Sequence, residues 1–175
     1  MSDKEIKSDS GERRSFACDT SSLILLHRVG LLETTAAVYH LLVTPSVLAE
    51  LKRGGSAEDY RRFEQATICC PLPQAAPTID DLTSTDAEVI ALCLSTGADA
   101  VLSDDGSLLR CCRRAGLPHY CALSLLPLLV EDGYLAPSQA EEAFSALLMQ
   151  GRYSSKVIAE GRDMLLRSIQ KRYLE

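Results

Sequence analysis

The sequence predicts an α/β protein with three layers, in which helices cover both faces of a central parallel sheet of four or five strands. Two observations favour this fold. Short apolar runs alternate with stretches of helical periodicity at short connection lengths, a pattern typical of parallel strands joined by crossover helices. The 175 residues are 46% apolar and 24% charged, which is the usage of one globular domain.

Five short apolar runs are the candidate strands. They cover residues 15–18, 41–44, 67–70, 100–103 and 119–121. The first run stops at Asp19, and the fourth stops at Asp104 and Asp105. Because parallel strands place their carboxyl ends along one edge of a sheet, these carboxylates are expected at the same edge.

Helices are predicted between the strands from the spacing of apolar side chains. They cover residues 23–32, 36–40, 45–53, 58–65, 86–96 and 108–115. One of the two serines at positions 21 and 22 is expected to cap the first helix. Thr44 is expected to cap the helix that opens at Pro45, and Thr85 and Glu88 form a capping-box pattern for the helix at 86–96.

The two ends of the chain lie outside this alternation. Residues 1–14 carry balanced charge and almost no apolar side chains, so we expect a flexible tail there. Residues 15–175 are predicted to form one domain, which includes a C-terminal helical extension over 123–175. The extension should contain helices at 124–132, 138–150 and 154–170.

Composition excludes several functional classes. The net charge is −6 and aromatic residues are only 5%, which argues against a broad basic coat and against a base-stacking platform for nucleic acid. The seven cysteines include two adjacent pairs and no C-x-x-C motif, so neither a disulfide framework nor a zinc site is favoured. Without a signal-peptide core or a membrane-length apolar run, a cytoplasmic location is expected.

Two further carboxylates stand on helices near the predicted edge. Asp86 lies three and four residues before Val89 and Ile90, and therefore heads the buried stripe of its helix. Glu50 lies at the margin of the stripe in the helix at 45–53. Each acid alone has an ordinary explanation, namely a turn, a helix cap or a surface ion pair with Arg53 or Arg110.

Together, the acids point to a cation site. Two like charges about 4 Å apart repel by roughly 4 kcal/mol at an effective dielectric constant near 20. Oxygen ligands of this kind suit Mg²⁺ or Mn²⁺ rather than zinc or copper. The chain also lacks a nucleophile elbow and a phosphate-cradling glycine loop. A metal-activated water attacking a phosphodiester is the chemistry that this pattern favours.

The order of these motifs resembles the PIN-domain family, the Mg²⁺-dependent ribonuclease fold of VapC-type toxins and related RNA-processing enzymes. Four segments carry the resemblance, and together they lie within residues 16–121. They are FACDTS at 16–21, TPSVLAEL at 44–51, the helix-opening Asp86 followed by GAD at 97–99, and SDD at 103–105.

The resemblance implies a site and partners. It implies that Asp19, Glu50, Asp86 and Asp105 are catalytic, with Asp105 the better match to the fourth acid. The implied ligands of Mg²⁺ or Mn²⁺ are Asp19, Asp86, Asp104 and Asp105. It further implies an RNA substrate, homodimerisation and, for toxin members, inhibition by a cognate antitoxin protein.

Three arginines are the candidate RNA-binding residues. Arg110, Arg113 and Arg114 share one face of the helix at 108–115 and follow the fourth acidic segment directly. They could hold the phosphate backbone beside the acids. A solvated face with favourable charge near a helix C-terminus explains them equally well.

The leading hypothesis is therefore a Mg²⁺- or Mn²⁺-dependent endoribonuclease, the toxin half of a toxin–antitoxin pair. The alternative is a catalytically silent PIN fold kept for interaction or dimerisation. A receiver-like phosphoacceptor domain is disfavoured, because no lysine follows the last strand, which leads instead into residues 122–124.

Overall fold

The computed structural model describes residues 13–72, 74–76 and 78–174. Its centre is a five-stranded parallel sheet with the order β3-β2-β1-β4-β5. The strands are β1 (Ser15–Cys18), β2 (His40–Val43), β3 (Ile68–Cys69), β4 (Ala100–Leu102) and β5 (His119–Tyr120). The prediction of an all-parallel sheet is confirmed, with the upper of the two expected strand numbers.

Nine helices flank the sheet in the described part of the chain. They are α1 (Thr20–Arg28), α2 (Leu32–Val38), α3 (Pro45–Gly54), α4 (Ala57–Ala66), α5 (Ser84–Thr96), α6 (Gly106–Ala115), α7 (Ala122–Glu131), α8 (Pro137–Gln150) and α9 (Ser155–Leu174). Helix α5 packs on β1, β2 and β4, whereas α7 contacts β5 and also packs against α8 and α9. The architecture is the expected three-layer α/β/α fold with C-terminal helices.

The core is centred on the inner strands. Phe16 in β1 is only 1% exposed, and its ring makes edge contacts with Tyr39 and Tyr120 on the two sides. Strand β1 lies between β2 and β4, and its residues Phe16, Ala17 and Cys18 are at most 1% exposed. A strand buried on both faces reads as a continuous apolar run, as the segment FAC does here.

Several boundaries differ from the sequence-based prediction. Helix α1 begins three residues earlier than expected because the carboxylate of Asp19, rather than a serine, caps it. Helix α5 begins at Ser84 and is capped by Thr83, so the predicted cap at Thr85 is wrong. Val89 and Ile90 lie on the buried face of α5 as predicted, whereas the apolar Leu94 is 64% exposed.

The predicted N-terminal tail covers residues 1–14, of which residues 1–12 lie outside the described residues. None of the helices in the described ranges combines the length and the apolar character that a bilayer-spanning segment needs.

Candidate acidic site at the carboxyl edge of the sheet

The register of β1 and β4 builds the centre of the candidate site. Cys18 pairs with Leu102, so the next residue in each strand direction, Asp19 and Ser103, lies at the same level. The backbone amide of Asp19 donates to the Leu102 carbonyl at 3.1 Å. The hydroxyl of Ser103 donates to Oδ2 of Asp19 at 2.6 Å. Two strands separated by 84 residues in sequence therefore meet at one carboxylate.

Asp19 is a buried carboxylate that is only 3% exposed. Its Oδ1 accepts from the backbone amide of Ser22 at 2.8 Å, and its Oδ2 also accepts from the Ser21 hydroxyl at 2.7 Å. Burial raises the pKa of Asp19, although the hydrogen bonds from Ser103, Ser22 and Ser21 act in the opposite direction. The fold therefore keeps a costly group here and surrounds it with neutral donors.

Asp105 is joined to Asp19 through one hydroxyl. The Ser103 hydroxyl, which donates to Asp19, also accepts from the backbone amide of Asp105 at 3.0 Å. The Asp105 side chain caps α6, since Oδ1 accepts from the amides of Ser107 and Leu108 at 2.8 and 2.9 Å. The sequence motif predicts no role for Ser103, and the structure shows that its hydroxyl bridges the two acids.

Asp104 faces the C-terminal helices. Its Oδ1 accepts from the Tyr153 hydroxyl at 2.7 Å, and the backbone amide of Ala122 lies 3.1 and 3.2 Å from its two oxygens. Burial raises the pKa of Asp104 to about 6, and the charge of Asp19 adds to that rise. Tyr153 has no sequence signal, because nothing local connects it to an acid 49 residues away.

Glu50 links two helices at the site. Its Oε2 accepts from the Thr20 hydroxyl in α1 at 2.6 Å, and its Oε1 accepts from the Thr85 hydroxyl in α5 at 2.7 Å. Glu50 forms no ion pair with Arg53 or Arg110, the pair that would make it an ordinary surface residue. Glu50 therefore occupies the space between the residue after Asp19 and the residue before Asp86.

Asp86 takes a capping role in α5. Its backbone amide donates to the Thr83 hydroxyl at 3.1 Å, and its Oδ2 accepts from the same hydroxyl at 2.7 Å. The capping-box pattern predicted Glu88 as the partner of the helix cap. In the structure the partner is Asp86. Asp86 is partly exposed, and among the described residues its link to the other acids is the neighbouring Thr85, which binds Glu50.

The donor set fits a hard divalent cation in its chemistry. All five acids of the candidate site present oxygen atoms, and none of them pairs with a lysine or arginine within the described residues. Carboxylate oxygens that lack a cationic side-chain partner favour Mg²⁺ or Mn²⁺. In the same described part, no group of three or more acidic, histidine or cysteine side chains is already arranged around a common point for a metal ion.

The basic face of α6 borders a cavity of about 550 Å³. Its lining residues are Ser107, Arg110, Arg113, Arg114 and, from the loop before α5, Asp81. Ser107 belongs to this cavity and also donates its backbone amide to Asp105, so the cavity begins directly beside the acidic site. The structure thus brings the three candidate RNA-binding arginines together on one wall.

Comparison with known families gives one result that covers most of the chain. A family model described as a PIN domain matches residues 15–164, from the first residue of β1 into α9. Curated protein sequences contain no match to the chain.

Proposed function

The chain belongs to the PIN-domain family, whose members are generally nucleases, and on that premise we propose that it is a Mg²⁺- or Mn²⁺-dependent endoribonuclease. The observation that carries the proposal is the link from Asp19 to Asp105 through the Ser103 hydroxyl at the carboxyl edge of the sheet. Ligand sites of parallel α/β sheets lie beyond this edge.

Each acid has a proposed part in the reaction. Asp19, Asp86, Asp104 and Asp105 would hold the cation, and Glu50 would complete the site. A bound Mg²⁺ or Mn²⁺ supplies charge stabilisation to the phosphodiester and acidifies a water molecule. Glu50 holds α1 and α5 at a fixed separation through its two threonine partners, and so sets the distance between the segments that carry Asp19 and Asp86.

The arginine face of α6 is proposed to hold the RNA backbone. Arg110, Arg113 and Arg114 line one cavity beside Asp105, although the whole chain carries a net charge of −6. Binding would therefore be local, and its affinity should fall as salt increases. Guanidinium groups match phosphate oxygens in a bidentate geometry, which favours arginine for this purpose.

Cleavage of RNA by the purified protein tests the proposal. RNA should be cut with Mg²⁺ or Mn²⁺ and remain intact with EDTA. Asp19→Asn should abolish cleavage while the Tm of the metal-free protein stays the same or rises, because a buried charge is removed. Asp80→Asn, at an exposed position, is the matched control and should cut normally. Intact RNA in every metal condition, or cleavage by Asp19→Asn at the wild-type rate, would overturn the proposal.

A second candidate is a PIN fold retained for interaction without catalysis. It is favoured by the hydrogen bonds that already engage the acids and by the lack of a preformed three-ligand cluster in the described residues. Calorimetric titration with Mn²⁺ separates the two functions. Binding that disappears in Asp19→Asn and Asp105→Asn supports the nuclease, and the absence of carboxylate-dependent binding supports the scaffold.

The biological setting is also a proposal. We propose that residues 15–175 act as one domain of a cytoplasmic toxin, which forms a homodimer and is inhibited by a cognate antitoxin. Light scattering of the purified protein checks the dimer. A neighbouring reading frame for a small DNA-binding protein, whose product binds this chain and stops cleavage, would support the toxin assignment.

A further inference from the structure

The arginine cavity beside α6 has an excess of positive charge. None of the guanidinium groups of Arg110, Arg113 and Arg114 forms an ion pair with a carboxylate of the described residues. The one side-chain hydrogen bond there joins Arg110 to the Ser107 hydroxyl at 2.9 Å. An anionic ligand would balance this charge, and a phosphate diester has the matching geometry.

One carboxylate breaks the basic character of the cavity. Asp81 lies on its wall and accepts no hydrogen bond from the described side chains or backbone. Its φ of 68° places it in the left-handed region, which residues other than glycine seldom adopt, with Asp and Asn among the better tolerated. Asp81 therefore lines the same cavity as the three arginines and forms an ion pair with none of them.

Asp81 is exposed to the cavity, and its carboxylate can bind a ligand only through a donor that a phosphate diester does not have. An ionised carboxylate can only accept hydrogen bonds, so its partner must be a donor on the ligand. In a polynucleotide the sugar next to each phosphate carries such a donor only when it is ribose, because the 2′-hydroxyl distinguishes RNA from DNA. Phosphate and 2′-hydroxyl lie within one nucleotide, and the cavity of about 550 Å³ presents acceptor and cations together.

We propose that this cavity is a ribonucleotide subsite, in which the three arginines hold a backbone phosphate and Asp81 accepts a hydrogen bond from a 2′-hydroxyl. The proposal rests on the proposed function and deepens it, since it assigns the preference for RNA over DNA to one residue outside the acidic site. Asp81 is a specificity-determining residue here and takes no part in cleavage.

The test is binding by the protein in EDTA to labelled single strands of one sequence. The probes are RNA, DNA and 2′-O-methyl RNA, and fluorescence anisotropy in EDTA gives each Kd without cleavage. We expect RNA to bind about tenfold more tightly than DNA, as a hydrogen bond to a charged group allows. The 2′-O-methyl probe should bind like DNA, because it has no donor at that position.

Variants of the loop separate the carboxylate from the fold. Asp81→Gly suits the left-handed backbone and should fold normally, but it should bring the ratio of RNA to DNA affinity close to one. Asp81→Asn also suits this backbone and keeps an acceptor, so part of the preference should remain. The adjacent Asp80→Gly is the matched control and should keep the wild-type ratio. Arg113→Ala should weaken RNA and DNA alike, with a shallower salt dependence.

Each outcome bears on one proposal. An unchanged ratio in Asp81→Gly overturns the subsite, as does a wild-type protein that binds RNA and DNA equally or binds neither without metal. Parallel cleavage assays with Mg²⁺ distinguish this failure from that of the proposed function. If RNA is cut but the Asp81 variants do not change the affinity ratio, the proposed subsite is wrong and the proposed nuclease activity stands. If the protein binds RNA selectively but does not cut it, the proposed nuclease activity is wrong and the proposed subsite stands.

Discussion

Replacing Asp104 with Asn should stabilise the metal-free protein above neutral pH. Burial raises the pKa of this carboxyl from 3.8 to about 6 in the folded chain. A rise of about two pH units corresponds to about 3 kcal/mol, since each unit is worth about 1.4 kcal/mol. Asparagine is neutral and keeps an oxygen that can accept from the Tyr153 hydroxyl. Up to about 3 kcal/mol of unfolding free energy should therefore be gained.

The pH dependence of this gain has a definite sign. The folded chain holds the Asp104 proton more tightly than the unfolded chain does, so wild-type stability falls as the pH rises from about 4 to about 6. Above that window the penalty is constant, and below it wild type and Asp104→Asn should be equally stable. Urea denaturation in EDTA at several pH values measures the difference, and a chain of this size should show a Tm higher by about 6–12 °C at pH 8.

Tyr153, the hydrogen-bond partner of Asp104, provides the control. Tyr153→Phe removes the hydroxyl that binds the carboxylate at 2.7 Å, and should lower wild-type stability at pH 8 by about 1.5–3 kcal/mol. The reasoning would be refuted if Asp104→Asn were less stable than wild type at pH 8. It would also be refuted if the gain in stability were as large at pH 4 as at pH 8. Saturating Mg²⁺ should reverse the advantage if Asp104 ligates the ion.

Three further changes test the surrounding structure. Glu50→Gln should abolish cleavage and lower the unfolding free energy by about 1 kcal/mol, because two hydroxyls lose a charged acceptor; unchanged stability in urea would contradict the bridging role. Gly97→Ala should lower the unfolding free energy by about 1 kcal/mol, because φ is 68° at this position. The control is Gly54→Ala, which lies at the end of α3 with open space around it and should not destabilise the protein. The Tm values of the two variants test this difference. Leu126→Ala should cost about 2–5 kcal/mol by urea denaturation, because the side chain is fully buried, and a smaller loss would indicate a loosely packed α7.

The strand ends were predictable because the pattern that specifies them is local. The apolar run 15–18 stops at Asp19, and the run near 100–103 leads into Asp104 and Asp105. Parallel pairing then dictates that these positions share an edge. What the sequence could not predict is which atoms the carboxylates meet, since Ser103 reaches Asp19 across 84 residues.

The start of α5 shows where local rules run out. Two overlapping pairs fit a capping box, Thr83 with Asp86 and Thr85 with Glu88. The sequence favours neither on local grounds, and the second was predicted. In the structure Thr83 caps the helix by accepting from the Asp86 amide, whereas the Thr85 hydroxyl donates to Glu50, which is 35 residues away. A long-range contact thus engages the residue that the local pattern assigned to the cap.

The central position of β1 governs when the acidic edge can assemble during translation. Asp19 leaves the ribosome well before Ser103 and Asp105, which belong to the other strand of the site. A nascent chain that has reached β3 can pair β1, β2 and β3, yet one side of β1 stays open until β4 arrives. The strand order therefore delays completion of the pocket, because Asp19 is synthesised 84 residues before its partner Ser103.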